Sequence, residues 1–315
     1  MAFVESALTW VDSGAVAYPA LHQKIIELTM PALVVKKLFP EFPLVQGRTA
    51  TFVKQSGSRA AAISQISEGA EIPMDFTPYT EYTVTPYKKG LRERVSRENI
   101  EDLYIPVIED QLRRVARRMA FTIDNDCMTV IDLAAGNAPS NTFAATGLSL
   151  GSTGVPFGPF YQTGSSGPVA IGSKDLLAAK ALLETYSLIA DTILINPVNL
   201  RDVMYLPQFS LWAQYGNEGG QGVSPTQTGK VGTIFGMNVY VSMVVPVGKA
   251  YVISTGQNLS AAYAPLGFFV IKRPLMTDVE IKKEFDAVDV SLTTRYCPVV
   301  TYGEAIVRIT NLSTA

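Results

Sequence analysis

Residues 106–136 read PVIEDQLRRVARRMAFTIDNDCMTVIDLAAG and carry the clearest helical pattern of the chain. Apolar residues recur there at intervals of three, four and seven, which is the spacing of one buried helical face. They are Ile108, Leu112, Val115, Met119, Ile123, Val130 and Leu133. Pro106 suits the first turn of a helix and Gly136 suits its end. The pattern predicts a helix of about 43 Å at 1.5 Å per residue, long enough to run like a beam across a flat body.

Two strands are predicted before this helix. GRTATFVKQ (47–55) and YTEYTVTPYKKG (79–90) alternate in polarity and are rich in Thr, Tyr and Val, as strands are. Thr, Tyr and Lys lie on both faces, so the pair has no core of its own, and an isolated two-stranded ribbon is only marginally stable in water. Residues 46–90 are therefore predicted to form an extended β-hairpin loop that must lie on a neighbour.

The segment that precedes the ribbon, residues 1–45, is interpreted as an arm. Four prolines interrupt it, namely Pro19, Pro31, Pro40 and Pro43. The apolar spacing between Leu21 and Leu38 allows one or two short helices on either side of Pro31. Such short pieces need something else to pack against.

A mixed core is predicted after the long helix. Residues 137–172 are rich in Gly, Ser, Thr and Pro and suggest a loop, whereas SKDLLAAKALLETYS (173–187) predicts a helix. DTILINP (191–197) predicts a buried strand, and GKVGTIFGMNVYVSMVVPVGKAYVIS (229–254) predicts three short strands. Alternation from residue 276 onward predicts two or three long closing strands.

Composition excludes several classes of function. Charged residues make up 17% of the chain, against about 25% in typical soluble domains, which leaves uncharged surface for a partner to cover. The net charge of −2 creates no long-range attraction for DNA or an anionic membrane.

Cys127 and Cys297 are expected to be buried thiols of a reducing compartment. The first residues lack the pattern of a secretory signal, and no apolar run is long enough to span a bilayer. We therefore expect a soluble protein made in the cytoplasm, without a membrane partner.

Residue types that carry catalysis are scarce. His22 is the only histidine, which excludes a histidine-based triad or a histidine metal cage. Asp124, Asp126 and Asp132 could in principle hold Mg²⁺, but residues two apart on a helix point away from each other. A solvated or inter-subunit face is the favoured interpretation of these aspartates. No catalytic residue, metal or cofactor is predicted.

Four arginines lie within two turns on one side of the long helix. They are Arg113, Arg114, Arg117 and Arg118. One interpretation is ion pairing with Glu109, Asp110 or a neighbouring chain. The other is a non-specific contact with phosphate groups, because no aromatic residues interleave there to stack on bases. The four are therefore candidates for a DNA or inter-subunit contact.

Three stretches resemble the patterns of a known family. SKDLLAAKALLETYSLIADTILINP (173–197) joins a helix to a buried strand. GTIFGMNVYVSMVVPVGKAYVIS (232–254) has a glycine-flanked strand, a second strand ending in Ser, a Val-Pro-x-Gly turn and a returning strand. RYCPVVTYGEAIVRIT (295–310) places an Arg nine residues before a Glu-Ala-hydrophobic strand. In this order, after an arm, a ribbon and a long helix, they resemble the major capsid proteins of tailed double-stranded DNA viruses, which share the HK97-like fold.

The resemblance implies an α+β HK97-like capsid fold with an N-arm, an extended β-hairpin loop, a peripheral domain with a long spine helix, and an axial domain. The corresponding residues are 1–45 for the arm, 46–90 for the loop, 91–190 for the peripheral domain, 191–275 for the axial domain, and 276–315 for closing strands of the peripheral domain. The loop at 214–229 would point at the five- and six-fold axes, with Gln214, Asn217, Glu218 and Gln221 as candidate contact residues.

The function implied by the resemblance is structural and not enzymatic. The chain would assemble through pentamers and hexamers into an icosahedral head that encloses double-stranded DNA, in the host cytoplasm, and would reside in the virion. Implied partners are many copies of itself, the packaged DNA, and portal, scaffold or decoration proteins. Two alternatives stay open: an encapsulin-type nanocompartment shell that encloses a cargo enzyme and, more remotely, an enzyme with an unrecognised carboxylate or threonine site.

Overall fold

A computed structural model describes residues 33–55, 79–96, 98, 107–136, 160–162, 169–185, 188–206, 230–256 and 266–313. The helices are α1 (Val107–Gly136), α2 (Ser173–Thr185) and α3 (Pro197–Met204). The strands are β1 (Glu41–Pro43), β2 (Ala50–Gln55), β3 (Tyr79–Val84), β4 (Tyr87–Ser96), β5 (Phe160–Gln162), β6 (Thr192–Ile195), β7 (Lys230–Ile234), β8 (Met237–Val241), β9 (Ala250–Ile253), β10 (Gly267–Lys282), β11 (Ala287–Val300) and β12 (Ile306–Thr310). Most of the predicted arm, the ribbon tip at 56–78, most of the loop at 137–172 and the loop at 214–229 lie outside the described residues.

The long helix predicted from the sequence is confirmed as α1, which has 30 residues and is about 45 Å long. Its buried face differs from the predicted one toward the C-terminal end. Val130 is only half-buried and Leu133 is 61% exposed, whereas Cys127 and Ile131 are buried. Buried residues follow each other at intervals of four along α1, namely Val115, Met119, Ile123, Cys127, Ile131 and Ala135. Because a turn has 3.6 residues, this spacing rotates the buried face around the helix by about 40° per step. The side chains of Ile108 and Leu112 lie outside the described part.

A four-stranded sheet packs against α1. Its strand order is β1-β10-β11-β4, with β10, β11 and β4 antiparallel and β1 parallel to β10. The long β10–β11 hairpin confirms the predicted closing strands. The predicted domain boundary at residues 275–276 falls inside β10, because the alternating pattern begins before residue 276.

A six-stranded sheet has the order β5-β12-β9-β6-β8-β7. It contains the three short strands predicted in 229–254 and also β12, which the sequence assigned to the closing strands. All four residues of β6 are buried because both faces of this sheet are covered. Ile193 and Ile195 pack with Leu183 of α2, while Leu194 belongs to the core formed with α1. This double cover explains why residues 193–195 are all apolar.

β8 and β9 flank β6 on opposite sides, and the segment that joins them crosses the end of β6. Two asparagines hold this segment in place. Asn196 Nδ2 donates a hydrogen bond to the carbonyl oxygen of Val245 at 2.6 Å. Asn199 Oδ1 accepts from the backbone N–H of Gly248 at 3.0 Å, and its Nδ2 donates to the carbonyl oxygen of Ser313 at 2.6 Å. Asn199 is fully buried, so these two bonds replace its hydration.

The predicted ribbon is present as the antiparallel pair β2–β3. Its base is attached to the body by three aromatic rings. Phe52 of β2 stacks on Phe268 of β10 at 5.2 Å between ring centroids and packs edge-on against Phe42 of β1 at 5.3 Å. β3 then continues into the four-stranded sheet as β4, so the sequence run 79–90 belongs to two sheets and bends at Thr85 and Pro86.

Candidate functional site

Three aspartates of α1 connect the helix to three different parts of the chain. Asp124 contacts the segment that leads out of the arm, Asp126 contacts the four-stranded sheet, and Asp132 contacts the six-stranded sheet. The interpretation of these residues as a solvated or inter-subunit face is therefore wrong, because each carboxylate accepts hydrogen bonds from within its own chain. The sequence could not show these contacts, since their partners lie 37 to 176 residues away.

Asp124 accepts three backbone hydrogen bonds from consecutive residues of the segment 33–39. Oδ2 accepts from the N–H groups of Val34 and Val35 at 2.7 and 3.2 Å, and Oδ1 accepts from Lys36 at 3.0 Å. Asp124 is 2% exposed, and this burial raises the pKa of its carboxyl despite the three N–H groups, which act in the opposite direction. The same segment buries Leu33, Val35, Leu38 and Phe39 in the core. Thus the end of the arm region is fastened to the middle of α1.

Asp126 faces β4 and β11. Its carboxylate accepts hydrogen bonds from the hydroxyl groups of Tyr296 and Tyr87 at 2.6 and 3.2 Å, and Lys89 Nζ lies 2.7 Å away. Burial, reinforced by the adjacent carboxylate, raises the pKa of both tyrosines, so they remain protonated donors. The two strands are thereby held to the helix by one residue.

Asp132 faces β9 and β12 near the other end of α1. It accepts hydrogen bonds from Tyr251 at 2.6 Å, from Lys249 at 3.0 Å and from Arg308 at 3.2 Å. Partial burial alone would raise the pKa of the Asp132 carboxyl, but the three donors outweigh it and hold the pKa below its ordinary value. The six-stranded sheet is therefore joined to α1 by a charge-assisted network.

None of these aspartates is arranged to bind a metal. Within the residues that the structure describes, no three His, Cys, Asp or Glu side chains come together as a metal site. Burial also raises the pKa values of Cys127 and Cys297, which keeps both thiols protonated and unreactive.

The described portion of the chain has no helix that is long and apolar enough to span a membrane.

The arginine cluster is exposed nearer the N-terminal end of α1. Arg113, Arg114, Arg117 and Arg118 all face solvent, and Arg118 Nη1 lies 3.2 Å from Glu93 of β4. That partner was not foreseen, since β4 and α1 are brought together only by the fold. The other candidate contact residues, Gln214, Asn217, Glu218 and Gln221, lie outside the described residues.

A basic groove lies beside this cluster, between α1 and β4, and is named here the α1–β4 groove. Its lining includes Lys88, Lys89, Leu91, Arg117, Arg118 and Phe121, and its volume is about 790 Å³. β4 is the edge strand of the four-stranded sheet. The groove is therefore open along a sheet edge, with cationic side chains around an exposed aromatic ring.

A second charged cluster, which the sequence did not reveal, fixes β4 to β11. Asp289 is 1% exposed and accepts a bidentate pair from Arg94, whose Nε and Nη2 lie 2.7 and 3.0 Å from its oxygens, and a further bond from Arg92. The Arg94 guanidinium also lies over the ring of Phe285 at 4.5 Å. The only sequence signal is the Arg-x-Arg spacing, which places both side chains on one face of a strand.

We expect the stabilising effect of Asp289 to disappear in acid. The hydrogen bond from Arg94, with the help of Arg92, lowers the pKa of Asp289 to about 2. A depressed pKa in the folded state adds stability above the unfolded-state value of about 3.9 and loses it as the pH falls toward 2. Urea unfolding of unassembled subunits should therefore show Asp289→Asn less stable than wild type at pH 6, with the difference shrinking between pH 4 and pH 2. The exposed Asp278→Asn is the control, and an equal pH response in both variants would contradict the assignment.

Comparison with known proteins gives one family match. A family model described as "Phage capsid protein" matches residues 80–309, which include α1, the α1–β4 groove and both sheets except β1 and the last residue of β12. No curated protein has a sequence significantly similar to the chain.

Solved structures resemble the fold over nearly its whole length. The capsid of the Cyanophage P-SCSP1u is 14% identical, with a TM-score of 0.60 over 87% of this chain and 86% of that chain. The capsid of a native GTA particle is 11% identical, with a TM-score of 0.61 over 90% and 91% of the two chains. The SrpI encapsulin from Synechococcus elongatus PCC 7942 is 12% identical, with a TM-score of 0.54 over 89% and 87%. At these identities the similarity concerns the fold alone.

Proposed function

The chain belongs to the phage capsid protein family, and from this membership we propose that it forms the shell of a virus head by resting its ribbon and arm on neighbouring copies. It is a structural major capsid protein with the HK97-like α+β fold. In the proposed shell, pentamers and hexamers close into an icosahedral head around double-stranded DNA. Shells of this kind arise from many modest contacts between identical chains.

The attachment of the ribbon carries this proposal. In the described part of the ribbon, the buried side chains are Ala50 and Val84, which both lie at its base, whereas Val53 farther out is 58% exposed. A two-stranded ribbon with no core of its own is marginally stable in water. Contact with a neighbouring subunit would cover its faces and offset the entropy lost when the ribbon is ordered.

The remaining assignments follow from the family and are proposals. The arm (1–45), the extended loop (46–90), the peripheral domain (91–190 with 276–315) and the axial domain (191–275) take the roles of the HK97-like parts. Gln214, Asn217, Glu218 and Gln221 contact the neighbouring subunits around the five- and six-fold axes. Portal, scaffold or decoration proteins join the shell in the host cytoplasm.

The exposed arginines of α1 are proposed as a contact with packaged DNA or with a neighbouring subunit. Arg113, Arg114, Arg117 and Arg118 form one continuous cationic patch within two helical turns. Guanidinium groups bind phosphates without reading sequence, as the inside of a DNA-filled container requires. A net charge of −2 confines any such attraction to the patch itself.

The shell role requires no catalytic residue, and we propose that the chain is not an enzyme. A nanocompartment shell is the second candidate, because the SrpI encapsulin shares the fold. Neighbouring genes distinguish the two: terminase and portal genes indicate a virus, and a cargo-enzyme gene indicates a compartment.

Electron microscopy of the purified chain tests the proposal. We expect closed particles of uniform diameter with five- and six-fold clusters of subunits on their surface. A chain that stays monomeric at high concentration, with and without co-expressed neighbouring genes, would rule out the shell role.

A further inference from the structure

The four-stranded sheet has one face packed on α1 and one open face. Tyr296 of β11 points toward α1, since its hydroxyl group reaches Asp126, and successive residues of a strand alternate between the two faces. Arg295 therefore lies on the open face. Strand register places Arg273 of β10 and Lys88 of β4 directly opposite Arg295, one on each side. These three residues, named here the cationic row, span about 10 Å, since neighbouring strands lie about 4.8 Å apart.

Within the described sheet, no acidic side chain lies next to the cationic row on the open face. None of the three cations has an ion-pair partner among the described residues, and Arg295 instead donates from Nε to the carbonyl oxygen of Pro86 at 3.0 Å. The nearest carboxylate of β10 is Asp278, five residues from Arg273, or about 17 Å at 3.3 Å per residue. Physiological salt screens charges beyond about 8 Å, so Asp278 does not neutralise the row.

Two observations indicate that the cationic row has a ligand. Like charges directly opposite each other destabilise a sheet unless a counter-ion lies between them. In addition, the Nε–H group of Arg273 is buried and has no hydrogen-bond acceptor among the described residues. Buried donors in folded proteins are nearly always satisfied, and a bound ion or water completes those that the chain leaves open. The row therefore has the charge and the donors of an anion site.

The rest of the open face favours a compact anion. Arg92 and Arg94 of β4 lie on this face and are both paired with the buried Asp289, and Arg92 Nη2 also lies 3.3 Å from Glu280. These arginines need no further partner. A nucleic-acid strand that continued from the row along the sheet would meet the carboxylates of Asp278 and Glu280, which repel phosphate. A short anion contacts the row alone.

We propose that Lys88, Arg273 and Arg295 form a binding site for a short oligophosphate. Two guanidinium groups can each hold phosphate oxygens in a bidentate manner, and the ammonium group adds a third charge, so the row suits a multivalent oxyanion better than a single carboxylate. Lys88 also lines the α1–β4 groove, whereas the two arginines do not. The site does not depend on the shell role, because each subunit contains the complete row.

Titration of unassembled subunits with tripolyphosphate tests the site. At 100 times the dissociation constant we expect the melting temperature of wild type to rise by about 5 °C, relative to a chloride salt of equal ionic strength. Lys88→Gln and Arg273→Gln should each weaken binding about tenfold, because each removes a charge-assisted hydrogen bond. Lys283→Gln makes the same charge change on the exposed β10–β11 turn and should bind like wild type. ATP in the same titration distinguishes an inorganic phosphate chain from that of a nucleotide.

The ligand-free protein gives a readout that a purely structural role of these residues would not produce. Removal of one of three like charges relieves repulsion, so Lys88→Gln should melt about 1 °C higher than wild type in low-salt buffer without phosphate. Lys88 is exposed, so this substitution leaves the core intact. A lower melting temperature for Lys88→Gln would show that the row is already neutralised within the chain, and would overturn the proposal.

The other outcomes are equally decisive. If tripolyphosphate stabilises wild type and the row variants equally, the anion binds elsewhere and the proposal is wrong. If a short DNA duplex binds through Lys88 and Arg273 more tightly than tripolyphosphate at equal phosphate concentration, the row is a DNA contact and the compact-anion site is wrong. If tripolyphosphate does not bind, the proposal is wrong, and a loss of particles in Lys88→Gln would then assign the row to a neighbouring subunit. Binding by a wild type that forms no particles would uphold the site and reject the shell role.

Discussion

Alanine at position 267 is expected to prevent the chain from folding stably. Gly267 opens β10 opposite Val300 and has a φ of 142°, a backbone conformation that residues with a Cβ rarely adopt. A Cβ atom there would overlap the carbonyl oxygen of Val299 and lie 2.9 Å from the Cα of Val300. Both atoms belong to the backbone of β11, so no side chain can rotate away to relieve the overlap.

The cost of this substitution combines backbone strain with overpacking. Each effect contributes about 1–3 kcal/mol, so the free energy of unfolding should fall by about 3 kcal/mol or more. That is a large part of the 5–15 kcal/mol that typically stabilises a domain. We expect Gly267→Ala to be mostly insoluble on expression, and any soluble fraction to unfold at a clearly lower urea concentration.

Gly236→Ala is the matched control for this experiment. Gly236 also has a positive φ, at 80°, but a Cβ atom there meets nothing within 4 Å. Only the left-handed strain remains, and we expect a loss of about 1 kcal/mol. Equal stability of the two alanine variants would show that β11 moves to accommodate residue 267.

The elements that depend on local pattern were predictable from the sequence. A helix of this length repeats its apolar residues over many turns. The two strands of the ribbon are indicated by the alternation of polar and apolar residues and by their content of Thr, Tyr and Val. The buried strand Thr192–Ile195 was also evident, because a sheet covered on both faces needs a continuous apolar run. In each case the signal lies within one element.

Features that depend on contacts between distant elements were not predictable. The rotation of the buried face along α1, which exposes Leu133, follows from the change of neighbour from one sheet to the other. β12 alternates like the other closing strands, and only its pairing with β9 shows that it belongs to the six-stranded sheet. The same holds for Asp289, since strand register sets Arg94 opposite it and Arg92 opposite Ser291, two residues along β11.

Helix α1 therefore has two roles along its length. In its second half, Asp124, Asp126 and Asp132 hold the arm end, the four-stranded sheet and the six-stranded sheet in one unit. Nearer its N-terminal end, the exposed arginines present cations at the surface of the subunit. A rigid unit with fixed outer charges is suited to repeated contacts in a shell, because each copy presents the same surface to the next.

Removing the carboxylate of Asp124 should detach the segment 33–39 from α1. In Asp124→Ala one buried and two half-buried N–H groups lose their acceptor at once, and a buried donor left unsatisfied costs about 1–3 kcal/mol. The N–H groups of this segment can bind water instead only if the segment detaches from α1. Detachment exposes Leu33, Val35, Leu38 and Phe39. We expect a loss of about 3 kcal/mol and amide exchange at Val34, Val35 and Lys36 that is at least about a hundredfold faster in unassembled subunits.

Asn at the same position separates the hydrogen bonds from the charge. Its remaining oxygen can still accept from Val34 and Val35, whereas its amide nitrogen cannot accept from the half-buried N–H of Lys36. This loss is offset because the buried negative charge, whose desolvation raises the pKa of Asp124, is gone. Because a raised pKa in the folded state favours folding as the pH falls, mild acid alone should not release the segment. We therefore expect Asp124→Asn to stay within about 1 kcal/mol of wild type, as should Asn125→Ala on the exposed side of the same turn. If Asp124→Ala left amide exchange at residues 34–36 unchanged, the packing of Leu33, Val35, Leu38 and Phe39 alone would hold the arm end to α1, and the carboxylate would be dispensable there.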